Sequence, residues 1–262
     1  MAEISVPFDP KNFTGGPITN EFMPLAVGNT WFYRISDGTI DTVKVTDQTI
    51  TIDGVQCVVV SDVVQEVNKN GVPTKVTETT KDYFAQDKAG NVWYFGEDTK
   101  AFEAGGATTE GTWRAGQIPE GGTTVAQPGI IMLADPRKGD SYFEEQAPPV
   151  AVDRAAVTSL DSSADVPFGT FTKDCLRTSN TSATPGDVES KFYAPGIGSV
   201  LELDADGTRQ ELVSFTNSGS SLGQAMASFG GQSSLSTTTH PHKQEHANLA
   251  DMLASPHHCH SA

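Results

Sequence analysis

The side chains best suited to chemistry are crowded at one end of this chain. All six histidines lie at or beyond residue 240, as His240, His242, His246, His257, His258 and His260, and Cys259 stands among the last of them. Neutral imidazole and thiolate are the donors that Zn²⁺, Cu and Ni prefer. His242 and His246 are four residues apart, so on a helix they share a face and can grip one ion. Leu249, Met252 and Leu253 recur at helical spacing within Lys243–Ala254, and Pro256 stops the pattern. Glu245 and Asp251 are the carboxylates in reach to support such a site. The pattern points to transition-metal capture by a His-rich segment. Its spacing matches no closed zinc module, and an unstructured His-rich tail also binds these ions weakly without any metal function.

Elsewhere the chemistry is thinner. There is no Gly-x-Ser-x-Gly elbow, and residues before 240 contain no histidine to serve as base for a serine or cysteine nucleophile. Carboxylate-based catalysis stays open, with Glu97, Asp98, Glu103, Glu110, Glu144 and Glu145 in or beside a Gly-rich stretch, residues 97–129. Six aromatic residues, Trp93, Tyr94, Phe95, Trp113, Trp31 and Tyr33, are candidates to line a pocket for a small apolar molecule. Alternation along a strand puts Trp93 and Phe95 on one face and Tyr94 on the other, so only one set can face a cavity while the other packs the core. Asp87–Asn91 and Asp204–Gly207 look like fragments of calcium loops but lack the downstream bidentate Glu. They read as hairpin turns.

Charge narrows the partners. Lys plus Arg number 17 against 33 Asp plus Glu, a formal charge of −16, which repels nucleic-acid phosphates and anionic lipid headgroups alike. A cationic ligand, a metal ion or plain solubility fits that sign. No apolar run reaches the length of about eighteen residues that a spanning helix needs. The sequence as given opens without a basic region followed by an apolar stretch, so no secretory signal is read from it. Cys57 and Cys175 each lie in apolar strand-like runs, where buried free thiols are expected ahead of a disulfide.

The elements that must position these groups are strands. Tyr83–Glu97 sets two aromatic runs around the polar loop Asp87–Asn91, the signature of a hairpin carrying much of the core. Val55–Val67 reads as a long strand, Asp53-Gly54 and Asn68–Gly71 as turns, and Asp41–Asp47 and Gln48–Ile52 as successive strands. Roughly ten to thirteen strands are expected, with no convincing helical period in the body of the chain. The fold class is therefore all-β, an antiparallel meander closing into a barrel-like or strongly curled sheet. Its expected organisation is a wrapping segment, residues 1–24, then a β domain, 25–217, a flexible Ser/Gly/Thr linker, 218–239, and the His-rich segment, 240–262.

Three stretches together resemble secreted or lipid-anchored bacterial β-sheet proteins of unknown function. They are Pro24-Leu25-Ala26-Val27-Gly28-Asn29-Thr30-Trp31-Phe32-Tyr33, the hairpin Gln86–Glu97, and Phe192-Tyr193-Ala194-Pro195-Gly196-Ile197-Gly198-Ser199-Val200. The resemblance covers about residues 8–216. It implies an extracytoplasmic β-sheet protein and supplies no catalytic residues. The expected function is a non-catalytic extracytoplasmic binding protein whose His-rich segment captures a transition metal. The alternatives are an apolar-ligand carrier or carboxylate enzyme in a barrel mouth covered by residues 97–129, and a self-assembling surface protein.

Overall fold

The computed structural model describes residues 2–182 and 186–217. The expected linker and His-rich segment, and with them His240, His242, His246, His257, His258, Cys259 and His260, lie outside the described residues. Within them the chain is all-β, with a single 3-10 turn at Pro10–Asn12. The strands are β1 (Ala2–Glu3), β2 (Thr30–Ile35), β3 (Thr39–Ile52), β4 (Val55–Val67), β5 (Pro73–Gln86) and β6 (Val92–Glu103). There follow β7 (Gly106–Thr108), β8 (Trp113–Arg114), β9 (Gln127–Met132), β10 (Asp140–Phe143) and β11 (Glu145–Gln146). The last five are β12 (Arg154–Val166), β13 (Gly169–Thr181), β14 (Val188–Ala194), β15 (Gly198–Leu203) and β16 (Arg209–Thr216).

All belong to one sheet, antiparallel except where β1 lies parallel to β10. Its order is β1-β10-β12-β13-β14-β15-β16-β2-β3-β4-β5-β6-β9-β11, with β7 and β8 both added to β6. Two meanders, β2 to β6 and β12 to β16, are thus joined by the pairing of β16 with β2. Short turns make this cheap. Between β3 and β4 the loop is Asp53-Gly54, both at positive φ, 45° and 79°. That is the backbone a two-residue hairpin requires.

The expected barrel closure is not made by hydrogen bonds: the path has two ends. One end is β11, which pairs with β9, and β10, the neighbour of β1 at the other end and partner of β12, lies on the same continuous segment. The ladder breaks between them at Glu144, where the amides of Glu144 and Glu145 both donate to the Asp153 carbonyl, at 2.8 and 3.2 Å. Two further expectations change. Asp41–Asp47 and Gln48–Ile52 are one strand, β3, whose register shifts between Val45 and Thr49 as at a β-bulge. Residues 97–129 are not one covering loop: they hold the end of β6, all of β7 and β8, and the start of β9.

The two faces of β6 go to different places, as alternation demands. Trp93 and Phe95 meet Phe8 and Phe13 of the N-terminal segment, with ring centroids 5.6–6.2 Å apart and steeply tilted. Such edge-to-face contacts add about 1 kcal/mol each to burial. At the tip of the β5–β6 hairpin the Asp87 carboxylate accepts from the amides of Ala89 and Asn91 and from Asn91 Nδ2, all at 2.9 Å, and from Trp93 Nε1 at 2.8 Å. Asp87 is a structural turn residue with its acceptor sites filled. No described helix is long and apolar enough to cross a membrane.

Candidate functional site

The other face of β2 to β6 looks into a cavity of about 490 Å³. Its walls are built by period-two alternation. Trp31 and Tyr33 of β2, Asp41 and Val43 of β3, and Val60, Asp62 and Val64 of β4 point inward. So do Glu78, Asp82 and Phe84 of β5 and Tyr94 of β6. Lys191 and Tyr193 of β14, Glu202 of β15 and Gln210 of β16 line it from the other meander, and Glu144, Glu145 and Asp153 from the break between β10 and β11. Eight carboxylates and one lysine therefore share this space.

A glycine lets Glu144 come so close. A Cβ on Gly129 of β9 would collide with the backbone carbonyl of Glu144, so no larger residue permits the close approach. Glu144 is buried, 4% exposed. Its Oε2 accepts from Asn180 Nδ2 at 2.6 Å, and its Oε1 has no hydrogen-bond partner. Glu145 beside it accepts from Trp113 Nε1 at 3.3 Å.

Lys191 is committed. It lies 3.2 Å from Glu189 and 3.8 Å from Glu202, with its side chain about a quarter exposed (26%). Burial pulls its ammonium toward neutrality, but Glu202 and Glu189 outweigh that and hold it charged. Glu202, for its part, is kept ionised against its own burial by Lys191. The opposite wall has no such partner: among the described residues no cation pairs with Asp41, Asp62, Glu78 or Asp82. Asp41 and Asp62 face each other within hydrogen-bonding reach, an arrangement that needs a shared proton. Otherwise Asp41 accepts one long contact from Gln210 Nε2, 3.4 Å to Oδ2, and nothing donates to Oδ1.

The electrostatic consequence follows from burial first and mutual repulsion second. Burial pushes Asp82 to about 7, against a lowering by the hydroxyl of Tyr94, which donates to it at 2.7 Å. Glu97, next to this wall on β6, is pushed to about 8 by burial and then by Asp82. Glu144 is pushed to about 7, again by burial, with Lys191 opposing. Asp41 and Asp62 are raised by burial, Asp62 further by Asp41. At neutral pH this wall holds protons that ordinary carboxylates have lost.

Aromatic rings fill the spaces between acids. Tyr94 stacks on Phe84 with centroids 4.9 Å apart and meets the edge of Trp113 at 5.6 Å. Trp31 and Tyr33 are anchored by their polar tips to the carbonyls of Ile197 and Ser199, at 2.7 and 3.0 Å. Of the six aromatics singled out from sequence, then, Trp31, Tyr33 and Tyr94 line the cavity. Trp113 packs behind Tyr94, and Trp93 and Phe95 lie on the far face of β6. Of the six acids, Glu144 and Glu145 line the cavity and Glu97 adjoins it. Asp98 is tied to Arg114 and to the Tyr83 hydroxyl outside, while Glu103 and Glu110 are exposed. Asp41, Asp62, Glu78, Asp82, Asp153 and Glu202 were missed, though one signal was available. An acid between inward-facing apolar residues, such as Asp62 between Val60 and Val64, is a charge on the buried face of a strand. Cys57 and Cys175 are buried and free. Among the described residues no three His, Cys, Asp or Glu side chains converge as a metal site.

No protein-family model matches this chain, and no curated protein matches it. A solved structure described as "a putative lipoprotein from Parabacteroides distasonis" is similar over 75% of this chain and 99% of its own, at 12% identity and a TM-score of 0.36. A likeness that distant carries no argument about either fold or function.

Proposed function

We propose that this is a non-catalytic binding protein whose internal cavity takes a small organic cation. The observation that carries the reading is the excess of carboxylates over cations around one aromatic-lined space. Two ionised carboxylates about 7 Å apart repel by about 2 kcal/mol at an effective dielectric of 20. Eight of them around one lysine are either partly protonated or electrostatically strained. A ligand ammonium relieves both conditions, and the rings of Trp31, Tyr33 and Tyr94 suit its apolar body and its charge. This moves the reading away from a purely apolar ligand, because such a molecule offers no donor to Asp41 Oδ1 or Glu144 Oε1. A sheet wrapped around the cavity, short of a closed barrel, supports the same proposal, as does the extracytoplasmic location implied by the three stretches quoted above.

Thermal-shift and calorimetric titrations with butylamine, choline and spermidine, against indole and decanoate as uncharged-ring and anionic controls, test it. Stabilisation by the amines alone is the expected result, and stabilisation by indole or decanoate alone overturns it.

Metal capture by the His-rich segment is a separate proposal, carried by the spacing of His242 and His246. Zn²⁺, Cu²⁺ and Ni²⁺ titrated into the full chain and into a chain ending at Asn217 decide it. Tight stoichiometric binding lost on truncation supports the site, and equal binding by both chains defeats it.

A further inference from the structure

We infer that the ligand of this cavity is a linear polyamine, laid along the acidic wall of β3, β4 and β5 with Glu144 across the space. The inference rests on the organic-cation reading and goes further by fixing the number and spacing of the ligand's charges.

The register of the three strands supplies the spacing. Asp41, Val64 and Glu78 are cross-strand partners in one row; Val43, Asp62 and Thr80 form the next; Val45, Val60 and Asp82 form the third. Carboxylates thus occur in three successive inward-facing rows whose backbones step by two residues, or about 7 Å along the strand, with Asp41 and Asp62 of the first two rows leaning together to share a proton. The track continues into a fourth row at Phe84, partnered by Val58 and Tyr94, where the acids give way to stacked rings. A monoamine answers one row and leaves the others as they were. A metal ion needs several oxygens converging on one point, and no three of the described carboxylates converge. A chain of ammonium groups separated by three or four methylenes meets successive rows, while its methylenes lie against Tyr33, Phe84 and Tyr94.

Acid clustering alone does not make this a site. The independent observation is Glu144, which reaches the cavity from a different part of the sheet. It is 4% exposed, and its Oε1 has no hydrogen-bond partner. A buried acceptor left open in this way costs about 1–3 kcal/mol unless something donates to it. An N–H of a bound amine supplies such a donor. Lys191 does not fill that role, since Glu189 and Glu202 hold it.

The test is calorimetric titration of butylamine, putrescine, spermidine, choline and Ca²⁺ into the full chain at 150 mM salt, with the exposed-acid variant Glu66→Gln as a control for bulk attraction to an acidic protein. Expected is one-to-one binding that tightens at least tenfold from butylamine to spermidine and is unchanged in Glu66→Gln. Asp62→Asn and Glu144→Gln, both near-isosteric, are each expected to weaken spermidine at least tenfold. Thermal melting of each variant shows whether it is folded, and either one suffices for the test. Choline or butylamine binding as tightly as spermidine overturns the polyamine inference and leaves the organic-cation reading standing. Preferential binding of Ca²⁺, or spermidine binding that Glu66→Gln weakens as much as Asp62→Asn, also overturns it. No binding of any amine overturns both.

Discussion

Two sets of carboxylates are drawn out of bulk water in this protein, and the fold treats them oppositely. At the tip of the β5–β6 hairpin Asp87 receives four hydrogen bonds from the backbone and side chains around it. Within the same pair of strands Asp82 receives one, from Tyr94. Across the cavity Glu144 keeps one oxygen open. An acid whose lone pairs are all taken is part of the scaffold. One left short of donors weakens the scaffold, and proteins keep such groups where a ligand or a reaction uses them.

The largest expected effect comes from breaking the satisfied site. Asp87→Ala strands four donors, two of them backbone amides of the turn, and should cost about 3 kcal/mol in urea denaturation. Asp62→Asn is the matched change in the cavity. At neutral pH Asp62 keeps the proton it shares with Asp41, and an Asn amide replaces that donor without changing the charge, so the ligand-free protein should change by less than about 1 kcal/mol. The comparison fails if Asp62→Asn is as damaging as Asp87→Ala, for the cavity acids would then be structural as well.

Next in size is the pH dependence. Above about pH 4 an unfolded chain has begun to lose its carboxyl protons, but folded Asp82 and Glu144 keep theirs to about 7 and Glu97 to about 8. The folded state therefore binds more protons than the unfolded state in this window. Stability must fall as pH rises from about 4 to about 8. Acids held ionised in the folded state, such as Glu211 with Arg34 and Asp98 beside Arg114, act in the opposite sense and lose their contribution only in acid. Melting temperature measured from pH 5 to pH 9 at low salt should decline. The double variant Asp82→Asn/Glu144→Gln should flatten that decline, and an unchanged slope would mean that other groups set it.

The satisfied region was legible in the sequence and the unsatisfied one was not, for a physical reason. Asp87-Lys88-Ala89-Gly90-Asn91 between aromatic runs is local information: the turn, the strands and the split between Trp93 and Tyr94 all follow from neighbours in the chain. Asp53-Gly54 and the long strand Val55–Val67 are legible on the same grounds. The cavity is assembled from residues as far apart as Asp41 and Glu202, brought together by the pairing of β16 with β2. No spacing rule links them. The break that leaves the sheet unclosed was equally out of reach, because it falls at Glu144, between β10 and the two-residue strand β11, where Gly129 admits the Glu144 backbone. The Gly-rich stretch misled for a related reason: its glycines punctuate short strands added to β6, which composition alone does not separate from an open loop.

The smallest expected effects give the sharpest form of the comparison, because each removes a single donor from one acid. Trp93→Phe keeps the ring packed against Phe8 and Phe13 but withdraws the indole N–H from Asp87. Asn91 Nδ2 still donates to the same oxygen, so the loss should be about 1 kcal/mol. Tyr94→Phe keeps the stack on Phe84 and withdraws the hydroxyl from Asp82. That hydroxyl lowers Asp82 toward its ordinary range, so it favours the ionised acid over the protonated one. Its removal should therefore raise the proton affinity of Asp82 and cost more stability at pH 8 than at pH 5. Denaturation of both variants at the two pH values separates the cases. Parallel costs at pH 5 and pH 8 in Tyr94→Phe would show that Asp82 is as fixed in its charge as a scaffold acid, and would dissolve the distinction between the two regions.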